Sequence, residues 1–259
     1  IKRLSDVDRV RFPKRAPVKG AYALVFGIES YREKLPRADY AAGDAKLMGE
    51  YLVGALGFPE ENVIVRTDEK ASLTDIIKYV EGWLPNNVEK DGKVFVYFSG
   101  HGAPNPKTGN AYLVPFDGDP TFIESTGFPV ERLYAALDKL PTDDVTVALD
   151  SCFSGAGGRS VLAKGARPLV QVASVTQGTR AAVLSASASD QISNAYEEMG
   201  HGLLTYFVLK ALGGEGDANK DGAVTLAEAH AFALPNVQRV ARKLYNNEQT
   251  PQLQAGMRR

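Results

Sequence analysis

The sequence predicts an α/β fold, a three-layer sandwich in which a mostly parallel β-sheet lies between helices on both faces. Three observations carry this. Short runs rich in Val, Leu and Phe alternate along the chain with segments whose apolar residues recur at helical spacing, the pattern of parallel strands joined by crossover helices. The strand runs are continuously apolar rather than alternating, as strands covered on both faces are. Two of them also stop at a reactive side chain beside glycine, at Ser99-Gly100-His101-Gly102 and at Asp150-Ser151-Cys152. Open α/β sheets place their sites at the carboxyl ends of strands.

Taken in order, residues Ile1 to Gly20 are charged and hold Pro13 and Pro17, which predicts an extended lead-in rather than core. Ala21 to Ile28 reads as the first strand. Ala42, Ala45, Leu47, Met48, Leu52 and Leu56 make Ala41 to Leu56 a helix. Asn62 to Thr67 is a second strand and Leu73 to Leu84 a second helix, with Trp83 packing on the sheet. Lys93 to Ser99 and Val145 to Ser151 are the third and fourth strands. A Gly/Pro-rich loop and a helix, Val130 to Leu140, lie between them, and Pro141 stops the helix. Ala181 to Ala186 is a fifth strand. Helices cover Gly202 to Leu212 and Leu226 to Tyr245. The whole of 21–259 reads as one domain.

Composition narrows the function classes. The chain has 259 residues, enough for one substantial core. Its 30 basic and 31 acidic residues leave a net charge of -1, so no charge bias points to nucleic acid or an anionic membrane. No apolar stretch is long enough to span a bilayer. A single cysteine excludes an internal disulfide framework. The polar, basic start at Ile1 reads as a trimmed or mature form.

That cysteine is the first candidate for chemistry. A lone Cys is usually a small buried hydrophobe, but Cys152 lies beyond its apolar run and is followed by Ser154-Gly155-Ala156-Gly157-Gly158. A free thiol with a pKa of about 8.5 is scarcely ionised at neutral pH and needs a base. An imidazole can take the proton and later return it to a leaving amine. His101 is the candidate, and Gly100 and Gly102 beside it let the backbone approach a substrate. The N–H groups of Gly102 and Cys152 could form an oxyanion hole.

These residues resemble the two catalytic motifs of the caspase/metacaspase family of cysteine peptidases. Ala23-Leu24-Val25-Phe26-Gly27-Ile28-Glu29-Ser30-Tyr31 is similar to the family's first strand and the turn after it. Ala41-Ala42-Gly43-Asp44-Ala45 is similar to the start of its first helix. Leu184 to Ser193 resembles the strand and loop that wall its specificity pocket, and Gly200-His201-Gly202-Leu203-Leu204-Thr205 the start of the next helix. The likeness runs from about Val18 to Leu212 and is nearest to prokaryotic caspase-like proteins. It implies a caspase-like sheet of six strands, the sixth near Thr250-Pro251-Gln252-Leu253. It also implies His101 as general base and Cys152 as nucleophile.

The resemblance further implies cleavage after Arg or Lys. The Gln-Ala-Cys-Arg-Gly segment of the Asp-specific members is missing, while Asp44 and Asp190 match the metacaspase pocket aspartates. A carboxylate is the partner a guanidinium or ammonium needs. Family members often cut themselves after the cysteine, which here would fall after Lys164 or Arg167, among Arg159, Lys164, Arg167 and Arg180.

A last motif is separate. Asp217 to Glu228 fits an EF-hand loop, with Asp217, Asn219, Asp221, the Ala223 carbonyl and Glu228 as calcium ligands and Gly222 at the sharp turn. Gly213-Gly214-Glu215-Gly216 breaks the incoming helix, and the alternative is a polar turn with Thr225 capping the last helix. The metacaspase calcium cluster is not matched, since Pro129-Val130-Glu131 and Gly158-Arg159-Ser160 lack its aspartates. The reading is therefore a Cys–His endopeptidase acting on protein or peptide substrates, monomeric, with no required cofactor. Its rivals are a legumain- or gingipain-like peptidase and a catalytically weak caspase-like binding module. His201 and His230 read as core or surface residues rather than metal ligands.

Overall fold

The structure is a computed structural model and describes residues 4–13, 16–154 and 178–256. Its centre is a six-stranded sheet: β1 (Ala21–Gly27), β2 (Val63–Thr67), β3 (Lys93–Ser99), β4 (Asp144–Asp150), β5 (Ala182–Ser185) and β6 (Gln252–Gln254). The spatial order is β6-β5-β4-β3-β1-β2. Every neighbouring pair is parallel except β5 and β6, which run antiparallel. The five strands predicted from sequence form within one residue at each end, and the sixth lies in the tail segment the resemblance indicated.

Alternate strand residues feed two cores, because successive Cβ atoms point to opposite faces. Leu24, Phe26, Val94, Val96, Phe98, Val145, Val147, Leu149 and Val183 enter one core. Helices α2 (Leu73–Ile77) and α3 (Val130–Leu137) close it with Ile76, Leu133, Tyr134 and Leu137. Ala23, Val25, Phe95, Tyr97, Ala148 and Leu184 enter the other, covered by α1 (Ala41–Gly54), α4 (Leu203–Lys210) and α5 (Leu226–Val240). Each fully buried Val, Leu or Phe contributes about 1.5–3 kcal/mol, so both faces need cover and the strands read as unbroken apolar runs.

The helix starts follow local chemistry. Ser72 caps α2 reciprocally with Asp75, and Thr225 caps α5 with Glu228. The predicted second helix is composite: after α2 the chain widens into a π-helical stretch, Lys78–Trp83, before the short helix Leu84–Asn87. Trp83 sets its ring edge-on to Tyr22 of β1 at 5.8 Å. Gly214, at φ +118°, ends the turns that follow α4.

The N-terminal lead-in departs from expectation. Val7 is buried in the second core and Ser5 is buried beside it. Tyr51 donates to the Val7 carbonyl at 2.8 Å, and Lys210 to Asp6 at 2.7 Å. The charged residues that argued against core are the ones tying this segment down.

Chain order and spatial order reverse between β1 and β3. The loop after β1 therefore opens beside the carboxyl end of β3, at a topological switch point. A small antiparallel platform of Gly102–Pro104, Ala111–Leu113 and Phe128–Pro129 continues from β3.

Candidate active site

The register of β3 and β4 brings the two motifs together. Ser99 lies opposite Asp150, so His101 and Cys152 each stand two residues beyond a matched pair. The loops are joined directly: the Gly100 N–H donates to Asp150 O at 3.4 Å, and Ser151 Oγ donates to Gly100 O at 2.9 Å. A Cβ on Gly102 would lie 2.6 Å from Cys152 O and 2.6 Å from Phe153 Cδ1. The glycine after the histidine thus serves a closer purpose than approach to substrate: it lets the cysteine loop pack against the histidine loop.

Gly102 pairs with Leu113 across the platform. The preceding pair is bonded, since the Val114 N–H donates to His101 O at 3.0 Å. Antiparallel pairs alternate between bonded and non-bonded, so the Gly102 N–H points off the ladder, away from the strand carrying Leu113.

His101 is fully buried and fixed from the loop after β1. Its Nε2 lies 2.5 Å from the Pro36 carbonyl oxygen. A carbonyl only accepts, so Nε2 carries the proton and Nδ1 holds the lone pair in the neutral ring. Tyr31 stacks on the imidazole at 4.8 Å, and its hydroxyl accepts from the His101 N–H at 2.6 Å. Asp68 pins the start of that loop, accepting from the N–H groups of Glu29 at 2.8 Å and Ser30 at 3.0 Å.

Cys152 is also fully buried. Its thiol donates to the Gln191 carbonyl at 3.2 Å, with Ser154 Oγ 3.1 Å away. Asp150, two residues earlier, is buried too. It accepts from Ser193 Oγ at 3.0 Å and from the Thr205 hydroxyl at 2.6 Å. Tyr97 Oη lies 2.6 Å from the same Thr205 hydroxyl. Sequence reasoning passed over Asp150, Ser193, Thr205 and Tyr31. The position of Asp150 at the strand end beside the cysteine was a readable signal, whereas the others depend on packing between distant segments.

The two predicted pocket aspartates differ. Asp190 is exposed, in the turn just before Gln191 and so next to the residue touching Sγ. Asp44 is fully buried and turned inward. One oxygen meets His201 Nδ1 at 2.6 Å and the other accepts from the Gly202 N–H at 2.7 Å. As placed, Asp44 departs from the expected pocket role, because the first turn of α1 aims it at the start of α4 rather than at open space. His201 Nε2 is 3.1 Å from Asp8 and 3.1 Å from Ser5 Oγ. Burial by itself lowers the His201 pKa, but the hydrogen bonds and charges of Asp44 and Asp8 outweigh it, and the net shift is upward. Burial pushes Asp8 up, and its bonds from Ser5 and His201 pull it down further, below the ordinary carboxylate range. The third histidine stands apart from this cluster: His230 Nε2 lies 3.1 Å from Pro251 O.

Two expectations lie apart from this centre. Arg159, Lys164 and Arg167 lie outside the described residues. Arg180 is described and is held by Asp143 and by the Asp138 carbonyl. The Asp217 to Glu228 loop is knit by its own hydrogen bonds. Asp217 accepts from the N–H groups of Asp221 and Gly222, Asp221 from that of Ala223, and Glu228 turns back to Thr225. Among the described residues no group of three His, Cys, Asp or Glu is gathered as a metal site. Thr225 and Glu228 at the end of this loop form the reciprocal cap of α5.

Comparison with known proteins bears on the family and the fold. A family model described as the caspase domain, of the C14 peptidases, matches residues 21–259. The solved structure of protein GSU0716 from Geobacter sulfurreducens is similar with a TM-score of 0.65 and 19% identity, over 92% of this chain and 94% of that one. Caspase-1 from Spodoptera frugiperda is similar with a TM-score of 0.58 and 13% identity, over 97% of this chain and 92% of that one. At such identities these two likenesses speak to the fold. No curated protein matches. Among the described residues no helix is long and apolar enough to cross a membrane.

Proposed function

The chain belongs to the caspase domain family of C14 peptidases, and on that footing we propose that it is a cysteine endopeptidase that cleaves after Arg or Lys. The observation that carries the chemistry is the bond from His101 Nε2–H to Pro36 O. It commits the proton to the far nitrogen and leaves Nδ1 as the base. In the proposed cycle Nδ1 takes the Cys152 proton, and the thiolate attacks the scissile carbonyl carbon. The oxyanion is held by the N–H groups of Gly102 and Cys152. Protonated Nδ1 then gives its proton to the departing amine. Water attacks the thioester, Nδ1 takes the water's proton, and the acid product leaves as the thiol reforms. The Pro36 carbonyl steadies the ring while it is charged.

Specificity for a basic residue is supported by carboxylates on the two segments that meet at Sγ. Asp190 is exposed beside Gln191. Asp150, two residues before Cys152, is a second carboxylate, buried and bonded to Ser193 of the same loop. A cationic side chain is favoured there and an acidic one meets like charge. The same specificity would let the enzyme cut itself after Lys164 or Arg167, detectable as a mass change that Cys152→Ala prevents.

The test is a fluorogenic peptide panel differing only in Arg, Lys, Asp or Asn before the leaving group. Turnover of the Arg and Lys peptides that vanishes in Cys152→Ala is expected. Turnover confined to Asp or Asn would overturn the specificity. A second reading, a catalytically weak binding module, is favoured by the full burial of Sγ. No turnover of any peptide would support it.

A further inference from the structure

The loop whose Gln191 carbonyl takes the Cys152 S–H is bonded near both ends by one side chain in the C-terminal tail. We propose that Gln249 is a positioning residue of the peptidase, stapling the loop 186–194 that sets access to Cys152. This rests on the proposed peptidase reading and deepens it.

Gln249 is fully buried, although nothing in its own segment requires a buried amide. Its Oε1 accepts from the Asn194 backbone N–H at 2.9 Å and from Asn194 Nδ2 at 2.8 Å. Its Nε2 donates to the Ala186 carbonyl at 3.1 Å. The backbone N–H only donates and the carbonyl only accepts, so the amide has one satisfied orientation. One side chain thereby bridges the residue where the loop leaves β5 and the residue where it ends. The next residue pins the middle: the Thr250 N–H donates to Gln191 Oε1 at 2.7 Å.

What this loop presents is the wall of the candidate site. Its Gln191 carbonyl takes the Cys152 S–H, its Ser193 hydroxyl bonds Asp150, and its Asp190 is the exposed carboxylate. The loop is joined to α4 as well, through the Leu203 N–H to Asn194 O at 2.9 Å. Geometry at Sγ is therefore set from a tail segment about 100 positions later in the chain. Only glutamine fills the role at this size. Glutamate has no hydrogen for the Ala186 carbonyl, and leucine satisfies neither end, which leaves buried polar groups unpaired.

The experiment compares wild type with Gln249→Ala, Gln249→Glu and Gln191→Leu. The last removes the middle pin and leaves the tail intact, so it keeps the test usable if a Gln249 variant fails to fold. Folding is followed by thermal melting. Two quantities are read on folded protein: the second-order rate of Cys152 alkylation by iodoacetamide at fixed pH, and KM and kcat on the Arg peptide. Gln249→Ala is expected to alkylate at least five-fold faster and to raise KM about ten-fold, with kcat changed less than three-fold. Gln249→Glu should fall between, because it keeps the acceptor for Asn194 and loses the donor to Ala186. Gln191→Leu should also alkylate faster. A purely structural role would lower the melting temperature and leave alkylation and KM at wild-type values, and that result overturns the proposal. If the wild type hydrolyses no peptide, the peptidase reading fails while the alkylation rates still decide the staple.

Discussion

Replacing Gly102 by alanine tests how the two loops of the site depend on one another. The new Cβ would sit 2.6 Å from the Cys152 carbonyl oxygen and 2.6 Å from Phe153 Cδ1. Neither neighbour can swing aside, since one is backbone and the other is a buried ring. Restoring ordinary contact at about 3.4 Å requires the histidine and cysteine loops to part by about 0.8 Å. Misplacing reacting groups by about 1 Å can cost on the order of 100-fold in rate, equal to about 2.7 kcal/mol of barrier. The substitution keeps the Gly102 N–H, so the loss reports spacing rather than a deleted donor. The assay is kcat on the Arg peptide for wild type and Gly102→Ala, with melting curves to show that both are folded. A fall of about 100-fold in kcat is expected in the folded variant. A kcat within three-fold of wild type would refute the reasoning, because it would mean that the loops tolerate the wider spacing.

Other perturbations separate stability from catalysis. His201 has a folded pKa above its unfolded value of about 6.5. Its contribution to stability is therefore complete below about pH 6.5 and is lost as pH rises through the folded value. Urea midpoints for wild type and His201→Gln should differ most at pH 6 and draw together as pH rises through the raised folded value; a constant difference would refute the charged Asp44–His201–Asp8 cluster. Tyr31→Phe leaves the buried His101 N–H without the hydroxyl it bonds and should lower stability by about 1–3 kcal/mol in urea titrations. Thr225→Ala removes a reciprocal cap of α5 and should cost about 1 kcal/mol by the same measure.

Much of the fold was legible in the sequence because parallel strands covered on both sides must be apolar throughout. Val94 to Phe98 and Val145 to Leu149 satisfy both cores at once, and no helix-period pattern fits them as well. The strand-end positions of His101 and Cys152 were legible for a related reason: a polar, glycine-flanked residue ends an apolar run where the sheet meets solvent-facing loops. Asp44 was misplaced because helix periodicity gives its turn but not the neighbour it faces. Whether a carboxylate opens into a pocket or pairs with a histidine 157 positions away is a matter of packing. The N-terminal segment was misread for the same cause, since its charges find their partners on α4 and at His201.

The sequence by itself determined the layered architecture, the strands and their ends, and the pair of reactive side chains, because each is written in local composition and spacing. Only the tertiary structure decided the rest. It chose the His101 tautomer through Pro36, the inward turn of Asp44 toward His201, the bond from Cys152 to Gln191, and the staple of Gln249 across loop 186–194. Each of these is a hydrogen bond or ion pair between segments far apart in the chain. Its partners are fixed by the direction and register of whole elements, and no window of neighbouring residues contains that information.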